Sequence, residues 1–487
     1  MNNTEEINKK WPNRLNEKKR TSWADSLFVY PRIKGDFLLR MLGWTLLGTV
    51  LYFCVYGLLA RGGAPFQTFL ASSIGGAAGV WCCSYWMKKI PRSKWVRVSI
   101  LCAYLARIVV GVIIYLVQLD HNYFDGDGAF IGQSAEYEWT YDKAVIAANL
   151  VEDNKDLLVT REVYAVDNDK DASIHTWMGW LFVAGKSRHA LDLAPFNSFH
   201  HAITGLIICS LALALGYSVR SAQLAGVITA WIPWAFPASL MWRDSVGLAW
   251  VAFAVLMLVM GLKNGWITYG LVVLPAGFLA YSVREIYVIV TLTVLLGAIL
   301  GDKTSVLRKS KLLTRLFYIF ALGLLIASIA KLAGGGVFYR YVGYGNDIFS
   351  LPVRLLKSPL LLIRALIGPF PWLSGNFDLF CLFDYSFHVF QTSLLFSFIE
   401  RRKVKRFRLD ALVVTGLAMW IIGVMATGVH TAYIAIAIPF LLPAILEVRS
   451  NILKWLGISF ILFLLLNTVY VLLGLQGSGI IMKATGY

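Results

Sequence analysis

The sequence predicts an all-α fold: a polytopic transmembrane helix bundle of about 13 spans, with its N-terminus inside, its C-terminus outside and one long extracytoplasmic loop. Three observations predict it. The 487-residue chain is 58% hydrophobic and gathers its apolar residues into repeated runs of about 15 to 22, long enough to approach or cross a hydrocarbon core. Basic residues cluster in the short stretches between those runs, as positive-inside topology requires. The acids do the opposite: residues 119–198 hold 14 Asp/Glu against six Lys/Arg, half of the chain's 28 acids. Long unalternating apolar runs exclude a β-barrel, whose strands alternate over about 10 residues.

The overall charge of +17 therefore divides into −8 within 119–198 and +25 elsewhere. The positive remainder lies beside apolar runs, so it reads as a topology signal and contact with anionic membrane lipids. No soluble basic domain is present to bind nucleic acid. Residues 1–36, with Lys9, Lys10, Arg14, Lys18, Lys19, Arg20, Arg32 and Lys34, form a cytoplasmic basic tail without the features of a cleavable signal peptide.

Transmembrane spans 1–3 occupy 37–118, at about 37–60, 66–86 and 96–118. In the second, Gly75-Gly76-Ala77-Ala78-Gly79 suits close helix approach. Lys88, Lys89, Arg92, Lys94 and Arg97 mark the intervening cytoplasmic turn. The acidic extracytoplasmic loop follows at 119–198. Spans 4–9 lie within 199–333, span 4 at about 200–216, span 5 at about 221–241 and span 6 at about 246–262. Pro233 and Pro237 predict a break near the outer end of span 5. The runs 267–281 and 286–300 cover only roughly 22 Å each, so the turn between them can lie below the membrane rim. Residues 334–378 form an extracytoplasmic segment with an interfacial or re-entrant helix at 359–372. Spans 10–13 complete the chain at 379–487, the last two at about 433–446 and 453–473. Arg401, Arg402, Lys403, Lys405, Arg406 and Arg408 give the strongest cytoplasmic signal.

On this topology the polar groups collect on the outer face. Phe124-Asp125-Gly126-Asp127-Gly128 offers two carboxylates with glycines that let a ligand approach the backbone. Either acid can serve as a general base or ligate Mg²⁺ or Mn²⁺, or the stretch is a solvated turn. Arg243 and Asp244 sit at the end of a proline-broken run; an ion pair there lowers the cost of burial, and an interfacial arginine beside Trp242 is the plainer reading. Arg284 and Glu285 lie between the two short runs, where a guanidinium fork suits phosphate. Arg340, Arg354, Lys357 and Arg364 share 334–378 with Tyr339, Tyr341, Tyr344, Phe370 and Trp372. That mixture fits a sugar and a lipid pyrophosphate, or an interfacial aromatic belt. His430 also falls on the outer face. His175, His189, His200, His201, His388 and His430 show no zinc spacing, and the adjacent His200-His201 reads first as a packing or capping pair. Arg107 in span 3, with Arg40, stands out as a candidate charge within a span.

Several of these stretches together resemble a known group. Phe236-Pro237-Ala238-Ser239-Leu240-Met241-Trp242-Arg243-Asp244-Ser245 is similar to the proline–tryptophan–basic–Asp turn of bacterial membrane glycosyltransferases of the GT-C class. The Arg284 turn resembles that group's next element, and Gly368-Pro369-Phe370-Pro371-Trp372 its PFPW segment. Ala432-Tyr433 with Pro439 resembles a late RY…P segment, although His430 and its neighbours offer no arginine there. The class includes sugar transferases and O-antigen polymerases, and the resemblance covers about 120–440.

The resemblance implies transfer of a sugar from a polyprenyl-(pyro)phosphate-linked donor to a saccharide acceptor on the outer leaflet, with or without Mg²⁺ or Mn²⁺. It implies a catalytic Asp in the first large outer loop, a position that Asp125 and Asp127 match by location, although here that loop follows span 3 rather than span 1. Arg243, Arg284 and Arg340 would hold the donor phosphate. Asp244, Glu285, Arg354, Trp372 and His430 are the remaining substrate-binding candidates. The expected location is a bacterial inner membrane, with cell-surface polysaccharide as product. A transporter or flippase of lipid-linked saccharides is the rival expectation.

Overall fold

The computed structural model describes residues 35–61, 63–120, 135–154, 172–232 and 244–264, together with 388–394, 396–397, 412–413, 415–417, 419–420, 437–447 and 452–472. Among these, every regular element is helical. They fall in two compact units: one within Tyr30–Thr291, the other drawing its described residues from Leu292–Tyr487.

The first unit holds α1 (Gly35–Leu59), α2 (Pro65–Cys83), a 3-10 turn (Ser84–Lys89), α3 (Ser93–Asp120), α4 (Ala135–Asn154), α5 (Ala172–Gly185), a second 3-10 turn (Ala190–Asp192), α6 (Leu193–Ala214), α7 (Val219–Trp231) and α8 (Asp244–Asn264). Among the described residues, three stretches are long and apolar enough to cross a membrane: Arg40–Leu59, Ser93–Ile113 and Ala190–Ala214. Their 20, 21 and 25 residues rise roughly 30 to 38 Å, which matches a hydrocarbon core of about 30 Å. The chain is thus an all-helical membrane protein in its described part.

Faces sort at helical spacing. On α3, Leu105, Val109, Ile113 and Leu116 are exposed, while Tyr104, Arg107, Ile108 and Tyr115 are buried. On α2, Phe66, Leu70, Ile74 and Trp81 form an outward stripe. Apolar side chains that face outward in this way suit lipid rather than water. α6 differs from its neighbours, because every residue from Leu193 to Ala214 is buried. It packs against α2, α3, α7 and α8 and is the centre of the unit.

Local sequence accounts for the helix ends. Pro65 stands in the first turn of α2, where its missing N–H has no intrahelical partner to lose. Ser218 caps α7 by accepting from the Ser221 N–H at 3.3 Å. α7 stops at Trp231; Ile232, before Pro233, has ψ 116, because a residue preceding proline is pushed out of the α region. α6 ends in a left-handed Gly216 with φ 78. The Gly216 and Tyr217 N–H groups bond back to Leu213 and Ala212, at 3.0 Å each, and so satisfy its last carbonyls.

The small residues expected to allow close approach do so. A Cβ on Gly79 would lie 2.8 Å from the Gly48 carbonyl oxygen, and one on Gly48 would lie 2.6 Å from that of Gly79, which brings α1 against α2. α6 and α7 repeat the device through Gly205 and Gly226, at 2.6 and 2.7 Å. The start of α6 at Leu193 lies seven residues ahead of the expected span boundary at 200. Pro195 is tolerated there because it stands in the first turn.

The acidic stretch 119–198 is mostly helical where it is described, with a turn at 186–189. In α4, Ala144, Ala147, Ala148 and Val151 are buried, and α4 packs on α5 with Gly179 against Ala147. Glu152 of α4 pairs with Arg188 at 2.8 Å. Both side chains are partly exposed, so the pair contributes only about 0–1 kcal/mol.

In the second unit, α9 (Ile438–Glu447) and α10 (Ile452–Leu472) are apolar helices that fall on the residues of the expected last two spans. His388 stacks on Phe463 and Phe396 meets Trp455, which pack neighbouring helical residues on α10.

The Gly205–Gly226 contact generates a test. Gly205→Val should destabilise the protein by about 1–3 kcal/mol through overpacking, read as a lowered thermal midpoint in detergent. Gly43→Ala, where an added Cβ meets nothing within 4 Å, should leave that midpoint unchanged or slightly raised.

Candidate functional site

Of the catalytic and substrate-binding candidates singled out from sequence, Asp244 alone falls among the described residues. Asp125, Asp127, Arg243, Arg284, Glu285, Arg340, Arg354, Trp372 and His430 lie outside the described residues. Asp244 is the first residue of α8. Among the described residues no group of three or more His, Cys, Asp and Glu is arranged to hold a metal ion.

What the structure does assemble is a buried polar seam around the first half of α6. At its entrance Asp192 is fully buried. Thr68 Oγ1 lies 3.0 Å from Asp192 Oδ1 and 2.9 Å from the Pro65 carbonyl oxygen. A hydroxyl has one proton, so the two acceptors share it. Ser187 is the other polar neighbour of the carboxylate, and Asp192 Oδ2 is buried without a hydrogen-bond partner. The seam continues along one face of α2, where Ser72, four residues after Thr68, meets the Tyr52 hydroxyl at 2.8 Å. Tyr56, one turn after Tyr52, is also buried, and its hydroxyl lies against Gly185.

The histidines have roles set by their partners. His189 Nδ1 accepts from the Leu191 N–H at 3.2 Å and caps the 3-10 turn before α6. A neutral ring then carries its proton on Nε2, which donates to the Tyr115 hydroxyl at 3.2 Å. His200 Nδ1 donates to the Phe196 carbonyl at 3.0 Å, one turn back. That leaves the Nε2 lone pair available for accepting a proton or a hydrogen bond. His201 points the other way: Nε2 donates to the Thr229 carbonyl of α7 at 2.8 Å, and Nδ1 is buried without a hydrogen-bond partner. Arg107 of α3 is fully buried and electrostatically coupled to His201.

Aromatic side chains wall the same region. Trp177 of α5 meets His200 edge-on at 6.3 Å, Trp180 at 5.4 Å and Trp250 of α8 at 6.0 Å. Phe196 and Phe199 approach His200 at 4.6 and 5.6 Å. A histidine with an available ring nitrogen beside indoles is chemically suited to hold a polar, ring-shaped group.

The adjacent His200-His201 suggests packing or capping, and His201 packs on α7 through its bond to Thr229. Asp192 stands in sequence as one acid among the 14 of 119–198. The available signal was Leu191-Asp192-Leu193, a lone acid between leucines at the head of an apolar run.

The Thr68–Asp192 contact generates a second test. Thr68→Val should cost about 1–3 kcal/mol, because it strands a buried carboxylate oxygen. In an Asp192→Leu background the same change should cost less than about 0.5 kcal/mol, since the acceptor is gone. Thermal unfolding of the four proteins in detergent measures the coupling.

No family model matches this chain, and neither a curated protein nor a solved structure matches it.

Proposed function

We propose that the chain is an integral-membrane glycosyltransferase or polymerase. It would transfer a sugar from a polyprenyl-(pyro)phosphate-linked donor to a saccharide acceptor on the outer leaflet of a bacterial inner membrane, during synthesis of a cell-surface polysaccharide. The observation that carries this reading is the stretch 236–245, whose proline, tryptophan, arginine and aspartate resemble the GT-C turn. The membrane-crossing helices and the acidic stretch 119–198 are in keeping with it.

In this reading Asp125 or Asp127 takes the proton from the acceptor hydroxyl. The freed oxygen attacks the anomeric carbon of the donor sugar. The bond from that carbon to the lipid phosphate oxygen breaks, and the phosphate leaves with the electron pair. Arg243, Arg284 and Arg340 hold that phosphate and balance its charge. Asp244 and Glu285 steady the neighbouring arginines. Arg354 assists at the phosphate, while Trp372 stacks on sugar and His430 contacts substrate. Mg²⁺ or Mn²⁺, if used, would be held by Asp125 and Asp127 and would supply charge neutralisation.

A second reading, a transporter or flippase of lipid-linked saccharides, is favoured by one observation. Arg107 is fully buried within a candidate span, next to His201, and ionisable groups inside membrane helices often mark a substrate path.

Assay of the purified protein with a polyprenyl-linked sugar and an acceptor separates the two. The transferase reading expects turnover, reduced about 10²–10⁴-fold in Asp125→Asn or Asp127→Asn. Wild-type turnover in both variants rules out the assigned base. Arg243→Ala and Arg284→Ala should each weaken donor binding by about tenfold or more, and unchanged donor affinity removes the phosphate clamp. Movement of the lipid-linked sugar across proteoliposomes without any transfer product would favour the transporter.

A further inference from the structure

The turn between α2 and α3 gathers cations and aromatic rings without a single acid. Residues 84–97 contain Lys88, Lys89, Arg92, Lys94 and Arg97 and no Asp or Glu. Arg97, in the second turn of α3, is only 7% exposed. Its guanidinium carbon lies 4.1 Å from the Trp81 ring centre and 5.3 Å from that of Tyr85. Nε donates to Ser84 Oγ at 2.9 Å, while Nη2 is buried without a hydrogen-bond partner. Lys88 Nζ approaches the same Tyr85 ring at 5.0 Å and donates to its hydroxyl at 3.0 Å. Trp44 of α1 packs on the same Tyr85 ring, at 4.5 Å.

Two cations thus share one tyrosine ring with no carboxylate in the turn. Like charges brought together repel, and a buried guanidinium donor with no acceptor is costly. A topology signal needs neither feature, because exposed lysines satisfy it equally well. Arg92 adds to the pattern. It holds φ 57, a left-handed conformation that glycine or asparagine adopts more cheaply, yet the position carries a cation.

We propose that this turn is a binding site for the phosphate of an anionic phospholipid headgroup. The planar guanidinium is oriented by Ser84 and its two aromatic neighbours, and its Nη2 is a donor whose missing acceptor a phosphate oxygen would supply. Lys88 supplies a second, mobile charge. A lipid, rather than free phosphate, is the occupant because of where the site lies. It stands at the ends of two apolar helices, and the flanking Trp81 and Trp95 are 40% and 41% exposed, as in an interfacial aromatic belt. The basic turn lies on the expected cytoplasmic side, where anionic headgroups attract juxtamembrane cations. This site is independent of the sugar-transfer reading.

The full chain, purified in a neutral detergent, is titrated with short-chain phosphatidylglycerol, with phosphatidylcholine of equal chain length and with inorganic phosphate. The thermal midpoint and lipid retained in native mass spectrometry are the readouts. Phosphatidylglycerol should raise the midpoint and stay bound. Arg97→Gln and Lys88→Gln should each weaken its apparent affinity by about tenfold. Lys454→Gln removes a cation from another tryptophan, Trp455, at 5.4 Å, and should change nothing. Lys88 is exposed, so its variant decides if Arg97→Gln does not fold. Unchanged affinity in the Lys88 variant, or an equal loss in Lys454→Gln, overturns the site. Equal binding of phosphatidylcholine overturns the need for net negative charge. Equal stabilisation by millimolar inorganic phosphate overturns the lipid as occupant.

Discussion

In hydrocarbon a helix gains little by hiding apolar side chains, because lipid tails are as apolar as leucine. α6 is nevertheless buried along its whole length. Its attachment must therefore come from close packing and from polar contacts. Both are visible on the same face. Gly205 and Gly226 bring the backbones of α6 and α7 together, and His201, one turn before Gly205, donates across the interface to Thr229. On the other side Phe199 meets Tyr52 at 4.9 Å, and Asp192 is held by Thr68. The remaining helices of the unit arrange themselves around these fixed points.

Much of this framework could be read from the chain. The glycines at 75, 76 and 79 foretold close approach, and Pro233 foretold the end of α7. The first three apolar runs became α1 to α3 with ends displaced by only a few residues. Those features depend on local backbone sterics and on composition over one span. The helices within the acidic stretch were harder to see. Ala144, Ala147, Ala148 and Val151 repeat at helical spacing, but the surrounding acids mask the pattern. Asp192 could not be read as a buried centre, because its partner Thr68 lies 124 residues earlier. The candidate catalytic and substrate-binding residues, from Asp125 to His430, are legible only as motifs. A motif gives residue types in order, whereas a site requires them to converge in space.

Charge shows how the same residue type takes opposite roles in two settings. Arg188 meets Glu152 at a partly exposed surface, where water and salt screen both. Arg97 has rings and a serine around it instead of an acid. The first arrangement is complete within the protein and energetically small. The second leaves a positive centre at the edge of an apolar helix pair, with no acid beside it among the described residues.

α8 connects the motif with the structured core. It begins at Asp244, where the stretch 236–245 nears its end, and it packs on α6. Trp250 stands six residues into it, roughly 9 Å along the helix axis. That indole meets Trp177, which in turn meets His200. A group bound just ahead of Asp244 would therefore be registered by a helix whose position is fixed against the most buried element of the unit. Chemistry that needs reacting atoms held within a fraction of an ångström is best hung from such an element.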